Sequence, residues 1–143
     1  MSQTFKWDDN FILFSLGSKQ YFAGAGTVKE LLDAVRITPV KGFNDVLLGV
    51  CNWKGYILPV YSLATILGEP ETDEKGQILV LRLDPPLGIK VSAGLGIAML
   101  DPAHLVKEVP MLNKMIVGLY RTGDKEFSYV VDLSKLTEVN INL

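Results

Sequence analysis

The chain reads as an all-β protein with a few short helices, in which two small β units share one hydrophobic core. Three observations lead there. The stretch Val46 to Leu67 carries an apolar run, the tetrad Asn52-Trp53-Lys54-Gly55, a second apolar run and a short helical pattern, and a very similar stretch returns at Met115 to Leu136. Gly49 matches Gly118, Gly55 matches Gly123 and Leu63 matches Leu133, with one extra residue in the second turn. The rest of the chain is a succession of short apolar runs punctuated by Gly and Pro, without the longer helices that alternate with strands in a parallel βαβ sheet, so small barrels or a sandwich are favoured. Finally, 143 residues with 48% hydrophobic content give a well-filled interior, whereas a separate unit of about 70 residues is marginal for a core of its own.

Each element has its own signal. Phe11 to Leu16 is a compact strand, Gly17-Ser18 turns the chain, and Gln20 to Ala25 returns as a second strand. Gly24 and Gly26 suggest a bulge or a close backbone crossing. Val28, Leu31, Leu32 and Val35 share one face of a short helix; the alternative is a turn leading into a strand from Ala34 to Val40. Asn44 or Asp45 is placed to cap a helical turn leading to Leu48. Gly55 takes positive φ cheaply at the tip of the central hairpin. Pro59 marks an edge position or the last paired residue of its strand. Ser62 caps a helix over Leu63 to Leu67, and Gly68 stops it. Glu69 to Gly76 holds Pro, Gly and four acids; it is a solvated connector and the expected seam between halves at about 10–68 and 77–137 of a single domain spanning 1–143. Gln77 to Leu83 is a strand ending at Asp84-Pro85-Pro86. Lys90 to Val91 and Leu95 to Leu100 follow as strands around Ser92-Ala93-Gly94, and Leu105 to Val109 echoes Val28 to Leu31.

Bulk properties exclude several function classes. With 14 basic and 16 acidic residues, a net charge of −2 and no basic run, the chain lacks a footprint for nucleic-acid phosphates. The first ten residues are polar and acidic where a signal peptide needs an apolar stretch. No uninterrupted apolar run approaches the roughly 18 residues of a membrane span, so direct membrane insertion is not expected. A single cysteine fits a reducing compartment. Together these features point to the cytoplasm.

Catalytic signals are thin. His104 is the sole histidine, whereas a histidine-based metal site recruits several ligands, so a surface or capping imidazole is the expectation. Cys51 sits between Val50 and Asn52 in an apolar strand, without the cationic neighbourhood that activates a thiol. Gly24-Ala25-Gly26 and Gly94-Leu95-Gly96 lack the third glycine and following helix of a nucleotide-binding fingerprint, and barrel-corner bulges account for them. Turn bonding accounts for Asp101, and helix capping or turn bonding for Asp132, just before Leu133-Ser134. The unusual feature is the Asn52-Trp53-Lys54-Gly55 turn. An indole and a cation on a hairpin tip anchor a partner surface well, and the competing reading folds Trp53 over the core and leaves Lys54 solvated.

These residues, in this order, resemble the CheW-like domain family of bacterial chemosensory adaptors, from about Asn10 to Leu136. Phe11 to Gly17 is similar to the family's first strand and Gly turn, and Val28-Lys29-Glu30-Leu31 to its Val-x-Glu-Val step. Gly49 to Gly55 and Leu58 to Leu63 are similar to its Gly-Val-x-Asn-Leu-Arg-Gly and Leu-Pro-Val-x-Asp-Leu segments. Gly96 to Asp101 and Val130 to Leu133 match the later strands. The resemblance implies two interlocked five-stranded SH3-like barrels with a hydrophobic core between them. It implies a scaffold without catalytic residues, cofactor or metal, coupling chemoreceptor cytoplasmic tips to the regulatory domain of the histidine kinase CheA and touching neighbouring adaptors in rings. By that resemblance the partner-binding residues are Val28, Glu30, Gly49, Asn52, Trp53, Lys54 and Gly55. Lys54 replaces the family's arginine, Trp53 a leucine, Ser62 an aspartate and Asn44 a frequent proline. Lysine keeps the charge but loses the planar bidentate fork. These departures fit a divergent adaptor of a type IV pilus or taxis system.

Two rivals make different demands. A small-ligand-binding or catalytic β-barrel protein needs convergent polar groups in a pocket between the halves, and the apolar strands offer few. An oligonucleotide-binding barrel needs basic and stacking residues on one face, but the aromatic residues fall mostly within apolar strands.

Overall fold

A computed structural model describes residues 5–33, 36–40, 45–72, 74–107 and 113–138. The strands are β1 Asn10–Leu16, β2 Lys19–Gly24, β3 Val28–Leu32, β4 Leu47–Trp53, β5 Tyr56–Ser62, β6 Gln77–Leu81, β7 Leu87–Val91, β8 Ala93–Met99, β9 Leu105–Lys107, β10 Ile116–Arg121 and β11 Phe127–Val131. One short helix, α1 Leu63–Ile66, and three 3-10 turns, Ala25–Thr27, Pro102–His104 and Leu133–Glu138, complete the elements. The all-β expectation holds. The sheets have the orders β8-β1-β2-β11-β10-β9 and β3-β6-β7-β5-β4, so one has six strands where five were expected. The extra strand arises because the Pro102–His104 turn splits one chain segment into β8 and β9, which form the two opposite edges of that sheet. The same segment thus links both edges and curls the sheet into a small barrel.

The duplicated unit is real in three dimensions. β4 and β5 form an antiparallel hairpin followed by α1; β10 and β11 form one followed by the Leu133–Glu138 turn. Both hairpins slip register at the matched glycine, between Leu47 and Gly49 and between Ile116 and Gly118. The second strand of each unit then pairs in parallel with another hairpin: β5 with β7, and β11 with β2. Thr122 N donates to Glu126 O at 2.9 Å, so the second turn is Gly123-Asp124-Lys125, one residue longer than Lys54-Gly55.

The seam is not at 69–76. That connector joins α1 to β6 within one sheet, while β1 and β2 from the start of the chain complete the sheet of β8 to β11. The repeat marks the hairpin-and-helix unit, not a separable half; each unit needs a further hairpin beside its second strand, and the chain supplies β1–β2 to one and β6–β7 to the other. The echo of Val28 to Leu31 at Leu105 is also not a structural equivalence. Val106 O lies against Gly118 as Thr38 O lies against Gly49, so β9 corresponds to the segment around Thr38.

Burial on both faces explains the continuous apolar strands. Along β6, Leu79 and Leu81 enter a core between the sheets with Phe14, Tyr21, Ile89 and Val131. Ile78 and Val80 alternate with them into a second cluster with Cys51, Trp53, Leu58 and Val60. A third cluster, Phe11, Phe22, Leu100 and Val130, fills the six-stranded barrel, flanked by Phe5 and Trp7. The shared core expected from chain length is therefore present.

Local signals fare unevenly. Ser62 caps α1, accepting from Thr65 N at 3.1 Å, and Gly68 leaves the helix at φ 83°. Pro59 lies opposite Val50, before pairing with β7 begins at Val60, so its missing N–H faces no neighbouring strand. Leu95 is the extra residue of a bulge flanked by Gly94 and Gly96, whereas Gly26 lies in a 3-10 turn. Val28 to Leu32 is an edge strand rather than a helix, paired with β6 and bulged at Lys29; the bulge breaks the period-two alternation and imitates helical spacing. Asp45 and Val46 form a turn straight into β4, and the helical turn expected there is absent; Asn44 lies outside the described residues. The final residues 139–143 also lie outside them.

Candidate functional site

The hairpin β4–β5 turns through Lys54 at φ 52° and Gly55 at φ 84°. Positive φ at both central residues is the tight two-residue turn that matches strand twist. Asn52 Oδ1 accepts from Gly55 N at 3.1 Å and braces the turn. Trp53, the last β4 residue, pairs with Tyr56. Its indole is 6% exposed, within the barrel cluster of Cys51, Leu58 and Val60. Of the two readings, the one that folds Trp53 onto the core holds; an exposed indole anchor does not, because Trp53 points to the barrel side of β4.

The indole is not merely packed. Trp53 Nε1 donates to Glu30 Oε2 at 3.1 Å, and Glu30 Oε1 lies 3.2 Å from Lys54 Nζ. Lys29 Nζ and Lys54 Nζ stand 5.2 and 5.4 Å from the ring centroid, both within cation–π range. Lys29 and Glu30 are sequence neighbours, which a regular strand would send to opposite faces. The bulge at Lys29 lets both reach Trp53. Tyr56 and Ile57, 68% and 79% exposed, extend the tip with apolar surface.

The Lys54 ammonium first, then the indole N–H, holds the Glu30 carboxyl below the usual glutamate range. A carboxylate depressed only in the folded state contributes stability above its unfolded pKa and loses that contribution as pH falls through its folded pKa. Urea midpoints of wild type and Glu30→Gln should therefore differ at neutral pH and converge as pH falls below about 4. Parallel curves across that range would show that the ionised Glu30 contributes nothing.

Among the seven expected residues, Glu30, Trp53 and Lys54 converge, with Asn52 and Gly55 shaping the turn. Val28 stands apart, half-buried against the core between the sheets. Gly49 is buried, with φ 156° and a would-be Cβ 2.1 Å from Thr38 O; its position serves a backbone crossing. Lys29, Tyr56 and Ile57 were missed. For the last two, a signal existed: apolar residues immediately after a turn.

The other chemistry-bearing residues have structural employment. Cys51 is buried, and burial pushes its thiol up, away from the reactive thiolate. Asp101 Oδ1 accepts from Ala103 N at 3.0 Å, capping the turn that holds His104. His104 is exposed, 4.0 Å from Asp101 and beside the Tyr120 ring. Asp132 accepts from Ser134 N at 3.1 Å and from Ser134 Oγ. That pair lines a recess of about 200 Å³ with Lys6, Asp9 and Thr27, below the usual size of a small-molecule site. No group of three or more metal-ligating side chains occurs among the described residues, and none of their helices is long and apolar enough to cross a membrane. His104→Ala and Cys51→Ser should each leave function intact in a complementation assay; loss of function in a well-folded His104→Ala protein would reopen an enzymatic reading.

The described residues thus form two β sheets around a shared core, with a braced and charged hairpin tip. A CheW-like domain model matches residues 10–140, and the chain belongs to that family. It is 24% identical over 132 residues to the chemotaxis protein CheW of Klebsiella aerogenes, covering 88% of this chain and 80% of that one. It is 30% identical over 115 residues to CheW of Thermotoga maritima, covering 78% and 76%, and 30% over 91 residues to CheW of Bacillus subtilis, covering 62% and 58%. The fold superposes on the scaffolding protein TtCheW of Thermoanaerobacter tengcongensis with a TM-score of 0.78 at 22% identity, over 93% of this chain and 94% of that one. The curated relatives are chemotaxis proteins, and the structural neighbour is a scaffolding protein.

Proposed function

We propose that this chain acts in the cytoplasm and holds a chemoreceptor cytoplasmic tip and the regulatory domain of a CheA-type histidine kinase in fixed relation, with the β4–β5 tip and Glu30 as one of its docking faces. The observation that carries this reading is the arrangement of exposed groups over a buried, hydrogen-bonded indole. Glu30 is satisfied from within by Trp53 and Lys54. The face thus offers a partner the ammonium groups of Lys29 and Lys54 beside the apolar Tyr56 and Ile57. That chemistry suits a carboxylate flanked by an apolar side chain, and a rigid base limits the ordering cost of binding. Trp53 supports this face from beneath, and Asn52 and Gly55 set its turn.

A bridging assay tests the coupling. Receptor-tip fragments are immobilised and the kinase regulatory domain is added with and without the chain. The proposal expects kinase retention only when the chain is present. Equal retention in its absence, or failure of the chain to bind either partner, would end it. Lys54→Arg should retain or strengthen binding, because the planar fork adds a second hydrogen bond to a carboxylate.

A further inference from the structure

The recess lined by Lys6, Asp9, Thr27, Asp132 and Ser134 holds a charge that the fold leaves unanswered. Asp132 is 6% exposed, and its Oδ1 takes both bonds from Ser134. Its Oδ2 accepts no hydrogen bond and meets no cation among the described residues, yet it is not sealed from solvent, so it opens on the recess. The half-buried glutamates are treated differently, each answered by a lysine: Glu30 by Lys54, Glu69 by Lys19 and Glu71 by Lys90. A carboxylate buried without a counter-charge costs stability, and such a group points to something that must be bound. Asp9 brings a second oxygen to the same space. Its Oδ1 accepts from Asn10 N at 2.8 Å, and its Oδ2 faces Gly26, where a Cβ would stand 3.3 Å away. Gly24 and Gly26 thus leave one wall of the recess as bare backbone. Lys6, on the exposed rim, makes no ion pair with either acid.

We propose that this recess seats one arginine side chain of a partner protein, with the guanidinium bridging Asp132 Oδ2 and Asp9 Oδ2. A volume of about 200 Å³ is small for a whole ligand and suits a single side chain. A divalent cation fits less well, because it takes about six to eight oxygens and no group of three metal-ligating side chains occurs among the described residues. A guanidinium is planar, always charged and more weakly hydrated than an ammonium, so it gives up water more readily to pair with a half-buried acid. Its remaining donors find Thr27 Oγ1, which donates to Gly24 O at 2.7 Å and keeps lone pairs of its own. Lys6 opposes a cation, but two carboxylates outweigh one ammonium. The recess shares no residue with the Glu30–Lys54 face, and the proposal stands whether or not that face binds its partners.

Titration of the full chain with N-acetyl-arginine amide, followed by the backbone amide chemical shifts of Gly24, Gly26 and Ser134, tests the proposal. The shifts should saturate with a dissociation constant on the order of 1 mM, as befits one side chain without its protein. N-acetyl-lysine amide should bind at least about threefold more weakly, since it lacks the fork. Asp9→Asn and Asp132→Asn keep the Oδ1 acceptors and remove the charge, so each should weaken binding at least about fivefold. Asp9→Asn, at the less buried position, carries this arm alone if Asp132→Asn fails to fold. Lys6→Ala should strengthen binding by removing the opposing charge. Free arginine should bind no more tightly than the capped amide, because only its side chain enters. The absence of saturable shifts, binding unchanged in the asparagine variants, or weaker binding in Lys6→Ala would overturn the proposal. So would calcium saturating the same amides, or free arginine binding about tenfold more tightly than the capped form.

Discussion

Replacing Gly49 by alanine should destabilise the fold by at least about 3 kcal/mol, in the range reserved for strained backbone and direct overlap. Two effects act together. Gly49 adopts φ 156°, and a Cβ there would sit 2.1 Å from Thr38 O and 2.8 Å from Thr38 C. The obstacle is backbone, held by two hydrogen bonds between Thr38 and Val50 at 2.7 and 2.9 Å, so it cannot swing aside like a side chain. Gly118→Ala in the second unit should cost less, because the nearest obstacle is the Trp7 ring edge and the Val106 carbonyl stands at 2.9 Å. Gly24→Ala meets nothing within 4 Å and should be nearly neutral. Urea unfolding of the three variants checks the order. A Gly49→Ala protein within about 1 kcal/mol of wild type would mean that the crossing at Thr38 yields freely.

The second large effect belongs to Trp53. Truncation to alanine should cost about 3–5 kcal/mol, as for other large buried aromatic side chains, because the indole fills the barrel cluster against Cys51, Leu58 and Val60. Trp53→Phe separates packing from hydrogen bonding. The ring still fills most of the space, but Glu30 loses the indole N–H, so the cost should fall to about 1–2 kcal/mol. Far-UV circular dichroism is the suitable probe, since Trp7 contributes a second indole to fluorescence. A Trp53→Ala protein as stable as wild type would return Trp53 to the surface, as an anchor awaiting a partner.

Parts of this architecture are written plainly in the residues. Gly49 and Gly118 mark the same bulge in both hairpins, and Ser62 with Gly68 brackets α1. The unbroken apolar run of β6 shows that both faces are buried, and its alternate residues enter different cores. The exchange of hairpins between the sheets was not legible. Sequence similarity identifies a repeated unit, whereas long-range pairing decides which hairpin lies beside it. Strand β3 was obscured by its bulge, which spaces Val28, Leu31 and Leu32 as a helix would. That same bulge brings Lys29 to Trp53 and so adds to the face a residue that was not among the expected partner-binding residues. Residue type singled out Trp53 and Lys54, and the family resemblance Glu30; only the fold shows that they bond to one another.

Charge reversal at Lys54 is the most direct test of the proposed docking face. The substitution sets a carboxylate beside Glu30 at an exposed tip, where the lost ion pair is worth about 1 kcal/mol or less, so melting should change little. At an interface it leaves a desolvated charge without its counterpart, a loss of roughly 2 kcal/mol or more. Purified Lys54→Glu protein is titrated by calorimetry against the kinase regulatory domain and, separately, the receptor tip. The account predicts at least tenfold weaker binding to one of them with a nearly unchanged melting temperature. Unaltered affinity for both would contradict it and leave the Glu30–Trp53–Lys54 cluster as a structural brace for the hairpin.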